Sequence, residues 1–214
     1  MKRKVLLVNN EIYHIFNRGV NKADIYFQEP DFRRFYLSAI YYLDHSTKYS
    51  RHLSDPGSDM NGQGRNEQAR VEVIAYCLLP NHFHFLMKQL KDGGITSYIR
   101  HLCNAYSHYI NKKNDRVGPL FQGKFRSVHI GNSDQLYHVS RYIHLNPLVS
   151  KLTNNLENYK WSSYLTYARG SEDKLCNTDL ILKSFSSGDE YCKFVLDRAD
   201  YARRLDDIKH LVVE

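Results

Sequence analysis

The sequence predicts an α+β fold of the ferredoxin-like, RRM-like kind, an antiparallel sheet with helices on one face, followed by a helical C-terminal tail. Three observations predict it. Strand-like and helix-like segments follow one another in the order β, α, β, β, α, β, α. Two of the strands are joined by a connection so short that they must be antiparallel neighbours. The chain's 214 residues, 42% hydrophobic and 25% charged, supply one ordinary core and fall short of two.

Residues 11–18 (EIYHIFNR) form the first strand, and Gly19 and Asn21 turn the chain after it. Residues 31–45 carry apolar side chains at Phe32, Phe35, Tyr36, Ala39, Ile40 and Leu43, which is helical spacing. Residues 50–70 are rich in Gly, Ser, Asp and Asn, and predict a loop. Val71 to Leu79 (VEVIAYCLL) and His82 to Lys88 (HFHFLMK) read as strands on either side of Pro80 and Asn81. Ile95 to Asn111 repeats apolar residues at Ile95, Ile99, Leu102, Tyr106 and Tyr109, an amphipathic helix. GPLFQG (118–123) links it to a strand over Lys124 to Ile130.

The next helix starts at an Asn132 cap with Gln135 three residues on, buries Leu136, Val139 and Ile143, and is expected to stop at Pro147, near Asn146. Beyond YKWSSY (159–164) comes a polar stretch. A helical tail then runs from Asp179 to Glu214, with Gly188 as a break. The expected division is a domain over 1–165 and a tail over 166–214. The sheet face without helices is left for a ligand.

The formal charge is +7, and 17 Tyr and 10 Phe are interleaved with 30 Lys and Arg. Cations neutralise phosphates and aromatic rings stack on unpaired bases, so the balance favours a nucleic-acid partner over an acidic small molecule. Cys77, Cys103, Cys176 and Cys192 stand far apart with no C-x-x-C pair, which argues against a zinc knuckle or a disulfide framework and fits reduced thiols in the cytoplasm. The apolar run after MKRK is too short for a signal peptide, and no apolar stretch is long enough to predict a membrane span.

In a strand, residues two apart share a face, so His82 and His84 project together while Phe83, Phe85 and Met87 enter the core. Two such imidazoles can share a divalent metal, and equally they can be two ordinary hydrogen-bonded histidines. On the helix over 132–146, four-residue spacing sets His138, Tyr142 and Asn146 in a polar row opposite the apolar stripe. An amide oxygen beside two imidazoles suits Mg²⁺ or Mn²⁺. A phenol, with an ordinary pKa of about 10, is a weak nucleophile at neutral pH. A metal on a phosphate oxygen makes its attack feasible, and attack by Tyr142 would store the bond energy in a phosphotyrosine that can be rejoined elsewhere. An exposed tyrosine and a capping asparagine explain the row as well. Tyr106 and Tyr109 lie on an apolar stripe and are better explained as core. Lys88, Lys124, Arg126 and Arg141 stand near these residues in sequence and are candidates for phosphate contacts.

YHIFNRGVNK (13–22), AYCLLPNHFHFLMK (75–88), GPLFQGKFRS (118–127), RYIHLNP (141–147) and YKWSSY (159–164) together resemble the single-tyrosine HUH transposases, and within them the bacterial REP-associated tyrosine transposases. The resemblance implies that His82 and His84 bind Mg²⁺ or Mn²⁺, that Tyr142 is the nucleophile, and that Asn146 assists the metal. It implies a single-stranded DNA partner carrying a hairpin from a repetitive palindromic element, cleaved to a 5′-phosphotyrosine and a 3′-hydroxyl. It also implies a bacterial, cytoplasmic, nucleoid-associated setting, in which the protein is a monomer or a homodimer whose tyrosine serves the partner. Two other readings of the residues are a non-catalytic single-stranded nucleic-acid-binding module and a metal-dependent nuclease that uses water.

Overall fold

The computed structural model describes residues 6–44 and 69–197. Nearly all of the loop expected over 50–70 lies outside the described residues, as does the end of the tail, 198–214. The elements are β1 (Ile12–Arg18), α1 (Glu29–Asp44), β2 (Val71–Leu79), β3 (His82–Gln89), α2 (Gly94–Lys113), β4 (Arg126–Ile130), α3 (Ser133–Val149), α4 (Tyr164–Arg169), α5 (Asp179–Leu182) and α6 (Gly188–Leu196). The strands form one antiparallel sheet in the order β2-β3-β1-β4, the βαββαβ arrangement that the sequence predicts.

Strand periodicity decides which side chains meet which helices. Phe83 and Phe85 project to the face covered by α1 and α2, where both lie against Phe35 and Phe85 also meets Tyr98. All four rings are buried, and aromatic packing of this kind dominates core energetics. The hairpin between β2 and β3 is as tight as expected, Leu79 pairing with His82. Its loop is held from outside: the Pro80 carbonyl accepts from the Ile25 and Tyr26 amides, and the Asn81 carbonyl from the Gly19 amide.

The structure corrects three expectations. Helices do not keep to one face: α3 crosses the second face over β2 and β3, so only the part toward β1 and β4 stays open. Leu136, Ile143 and Leu145 of this helix are buried, and removing such apolar surface from water favours its docking. Pro147 does not stop α3, which runs to Val149 with the proline inside. Proline removes one amide donor, and with it the bond its position would make to the Ile143 carbonyl, but the turn around it persists, and the Ser150 amide still reaches the Asn146 carbonyl at 2.8 Å. Asn146 is therefore helical rather than turned out by the proline. Third, the polar stretch after 164 contains α4, and α5 is a single short turn. The Asn132 cap forms as expected, its side chain accepting from the Gln135 amide at 2.8 Å while the Gln135 side chain accepts from the Gly131 amide. The break in the helical tail expected at Gly188 is present: α5 ends at Leu182 and α6 begins at Gly188.

The C-terminal segment closes the β2 edge. The Leu78 amide donates to the Trp161 carbonyl, Ser163 to Tyr76, and Asn177 to Val73. A register shift between Val73 and Ala75 turns the Ile74 carbonyl out of the ladder, where Tyr167 Oη donates to it at 2.6 Å and Cys176 Sγ at 2.8 Å. Ile181, Tyr191 and Val195 join the same buried cluster, and the boundary expected after residue 165 falls inside α4. Among the described residues no helix is long and apolar enough to cross a membrane.

Candidate active site

Register and pleat build a polar row on the sheet face toward α3. On β1 and β3, Arg18 stands opposite His82, Phe16 opposite His84 and His14 opposite Leu86. From β4, Arg126 pairs with Phe16. Residues directly opposite share a face, so these side chains form one patch. Across it lies α3, which sets the Tyr142 ring edge-on against His84, with centroids 5.5 Å apart at 84°, and against His14 at 5.9 Å and 74°. Tyr142 is 45% exposed, so its outer side faces solvent. Beside it opens a cavity of about 370 Å³ lined in part by His82, His84 and Tyr142. Among the described residues that line it, four are cations, Arg18, Lys22, Lys124 and Arg126, and none is a carboxylate. A concave site with one sign of charge attracts an anion.

Hydrogen bonds set the chemistry of the imidazoles. Asn81 Nδ2 donates to the Lys22 carbonyl at 3.0 Å, which orients the amide so that its Oδ1 faces His82 Nδ1 at 2.6 Å. That oxygen only accepts, so His82 Nδ1 donates and Nε2 keeps its lone pair. His84 Nδ1 is 2.8 Å from His14 Nε2, and His84 Nε2 is buried with no hydrogen-bond partner. Burial, and then the charge of Arg18, lowers the His82 pKa to about 4. Burial lowers His14 to about 4 as well, and holds His84 well below the ordinary histidine value, with His14 and His82 adding to the effect. All three rings are therefore neutral near pH 7, the form that ligates metals.

These residues fit a divalent metal in part. The His82 and His84 rings are 4.9 Å apart, and the orphaned Nε2 is a ligand atom with nothing else to bind. Among the described residues no group of three or more His, Cys, Asp or Glu side chains is arranged to hold a metal ion, so the remaining positions fall to other oxygen donors.

The other predicted residues divide. Lys124 and Arg126 reach the cavity. Asn146 lies one turn beyond Tyr142 and is buried; its Nδ2 donates to the Tyr142 carbonyl at 2.8 Å, which leaves Oδ1 as its acceptor, and it does not line the cavity. Lys88 stands on the same strand as His84, four residues away and outside the cavity. Arg141 is not brought to the site. It is buried, donates to the Phe194 carbonyl at 3.1 Å and lies 4.1 Å over the Phe194 ring, so it fastens α3 to α6.

His14, Arg18, Lys22 and Asn81 were not singled out from the sequence. His14 and Arg18 carried a usable signal: in YHIFNR they alternate with Tyr13, Ile15 and Asn17, so they share a face that the strand does not give to the apolar core.

Residues 63–146 match the family model described as IS200-like transposase. No curated protein matches the chain in sequence. Among solved structures the chain is similar to a REP-associated tyrosine transposase bound to a REP hairpin, with a TM-score of 0.57 and 16% identity, over 88% of this chain and 96% of that one. At that identity the likeness is one of fold. The stretch that holds His82, His84, Tyr142 and Asn146 thus lies within the residues that match the IS200-like transposase model.

Proposed function

We propose that the protein is a metal-dependent single-strand DNA transesterase, which binds single-stranded DNA carrying a hairpin and cleaves and rejoins it through Tyr142. The observation that carries this reading is the Tyr142 ring standing edge-on against His84 of its own chain, beside a cavity rimmed by four cations. The hairpin bound to the protein of similar fold supports the choice of ligand.

Arg18, Lys22, Lys124 and Arg126 hold the backbone phosphates, and the scissile phosphate sits between Tyr142 and the two histidines. The phenol oxygen attacks phosphorus and forms the new P–O bond. The bond to the departing sugar oxygen breaks, its electron pair leaves as that 3′-oxygen, which takes up a proton, and the phenol proton passes to solvent on the exposed side of Tyr142. Held by Nε2 of His82 and of His84, Mg²⁺ or Mn²⁺ would withdraw charge from a non-bridging phosphate oxygen, and Asn146 Oδ1 would assist. The 5′-phosphotyrosine keeps the bond energy, so attack by another 3′-hydroxyl rejoins the strand.

Incubation with labelled hairpin-bearing single-stranded DNA and Mn²⁺ should give a protein–DNA adduct that survives denaturant in the wild type and vanishes in Tyr142→Phe. Persistence of the adduct in that variant would overturn the assignment of Tyr142. Cleavage with no adduct at any time would replace it by attack of water.

A further inference from the structure

We infer that His14 is a positioning residue for the metal site: by accepting a hydrogen bond from His84 Nδ1 it turns the His84 Nε2 lone pair toward the cation. The inference rests on His82 and His84 being the metal ligands. Only one proton can lie between His84 Nδ1 and His14 Nε2, which are 2.8 Å apart in two rings whose planes are 23° from parallel. If His14 donated it, His84 would carry its own proton on Nε2, a buried N–H with nothing to donate to. If His84 donates it, Nε2 is a bare lone pair, ready for a cation.

The pairing partner that fixes a metal-bound imidazole is usually a carboxylate or a backbone carbonyl, and among the described residues no carboxylate lines this cavity. On the neighbouring strand β1, two residues from Phe16, which stands opposite His84, His14 takes that place. It differs from Asn81, which does the same for His82 Nδ1 from the hairpin turn. Each ligand thus has its own partner, and both partners leave Nε2 free to bind. His14 also lies against Tyr142, so one side chain sets the ligand and lines the nucleophile.

The test is Mn²⁺ binding to the DNA-free protein, read from the electron paramagnetic resonance of free Mn²⁺, with hairpin binding in EDTA measured alongside. His14→Phe keeps a ring of similar size and removes the acceptor; it should weaken Mn²⁺ binding about 10- to 100-fold, with hairpin binding in EDTA unchanged. His14→Gln supplies an acceptor oxygen and should recover most of the loss, a rescue that a merely space-filling role would not give. If His82→Ala abolishes Mn²⁺ binding while His14→Phe leaves it at the wild-type level, the positioning role is wrong and the metal site stands. If His82→Ala binds Mn²⁺ as the wild type does, the metal site itself is wrong and the role of His14 falls with it. Should His14→Phe not fold, His14→Gln with wild-type affinity supports the inference, and the same 10- to 100-fold loss in that variant overturns it.

Discussion

His144 is fully buried two residues from Tyr142, with Nδ1 2.7 Å from the Tyr191 hydroxyl and Nε2 2.8 Å from Ser163 Oγ. Ser163 Oγ in turn accepts from the Tyr76 amide on β2, so a single imidazole ties α3 to both the sheet edge and α6. Burial lowers its pKa to about 3. An unfolded histidine titrates near 6.5, so as pH falls the unfolded chain binds the proton first and the folded state loses ground. The contribution of His144 is complete above about pH 6.5 and declines by about 1.4 kcal/mol per pH unit below it, reaching about 2 kcal/mol at pH 5. His14, His82 and His84 act with the same sign, so wild-type stability in EDTA should fall steeply below neutrality, and His144→Gln should lose about 1.4 kcal/mol per unit of that slope. Urea unfolding at pH 7 and pH 5 measures it; equal slopes in the two proteins would mean that His144 is protonated in the fold. At this scale the sequence reading was uneven. The faces of His82, His84 and Tyr142 were legible because strand and helix periodicity assign them; their roles came from the family resemblance and remain the proposal above. Arg141 was not legible, because whether an arginine meets phosphate or an aromatic ring depends on Phe194, which is distant in sequence.

Among the elements, α3 bears Tyr142, the proposed nucleophile, and is started by a single side chain. Asn132 Oδ1 satisfies the Gln135 amide, one of the four donors that a helix start leaves without partners. Asn132→Ala should cost about 1 kcal/mol in urea unfolding and leave the covalent DNA adduct intact, because Tyr142 lies ten residues further on. An adduct lost along with that 1 kcal/mol would mean that the first turn positions Tyr142. The cap, the hairpin at Pro80 and all four strands could be read from short-range pattern, since each depends on neighbours a few residues away. The exit of α3 could not. Proline forbids one hydrogen bond, and whether the helix continues depends on what else holds its last turn; here Leu145 and Leu148 are buried in the core. The second covered sheet face was hidden for a related reason, because the apolar stripe of α3 says that it is buried and not against what.

At the scale of the whole molecule, chain connectivity and charge make separate claims. Tyr142 lies against histidines of its own chain, the arrangement in which the proposed nucleophile serves its own site. Mixing His82→Ala with Tyr142→Phe protein should therefore restore no adduct, whereas a tyrosine serving a partner's site would restore it. The net charge of +7 is spread over the chain, but among the described residues four cations line the cavity, and these should govern how affinity falls with salt. Each phosphate neutralised on single-stranded DNA releases counterions worth about 0.7 in the slope of log affinity against log salt. Lys124→Ala combined with Arg126→Ala removes two exposed charges from the rim, so the slope should flatten by about 1.4, and affinity at low salt should fall while unfolding stability stays within about 0.5 kcal/mol. Arg141→Ala is the contrast. It too removes a positive charge from the chain, one rather than two, but its guanidinium is buried over Phe194, so the salt slope should hold and stability should fall by about 1–3 kcal/mol. Filter binding across a salt series separates the two, and a flattened slope in Arg141→Ala would bring that residue back to the DNA.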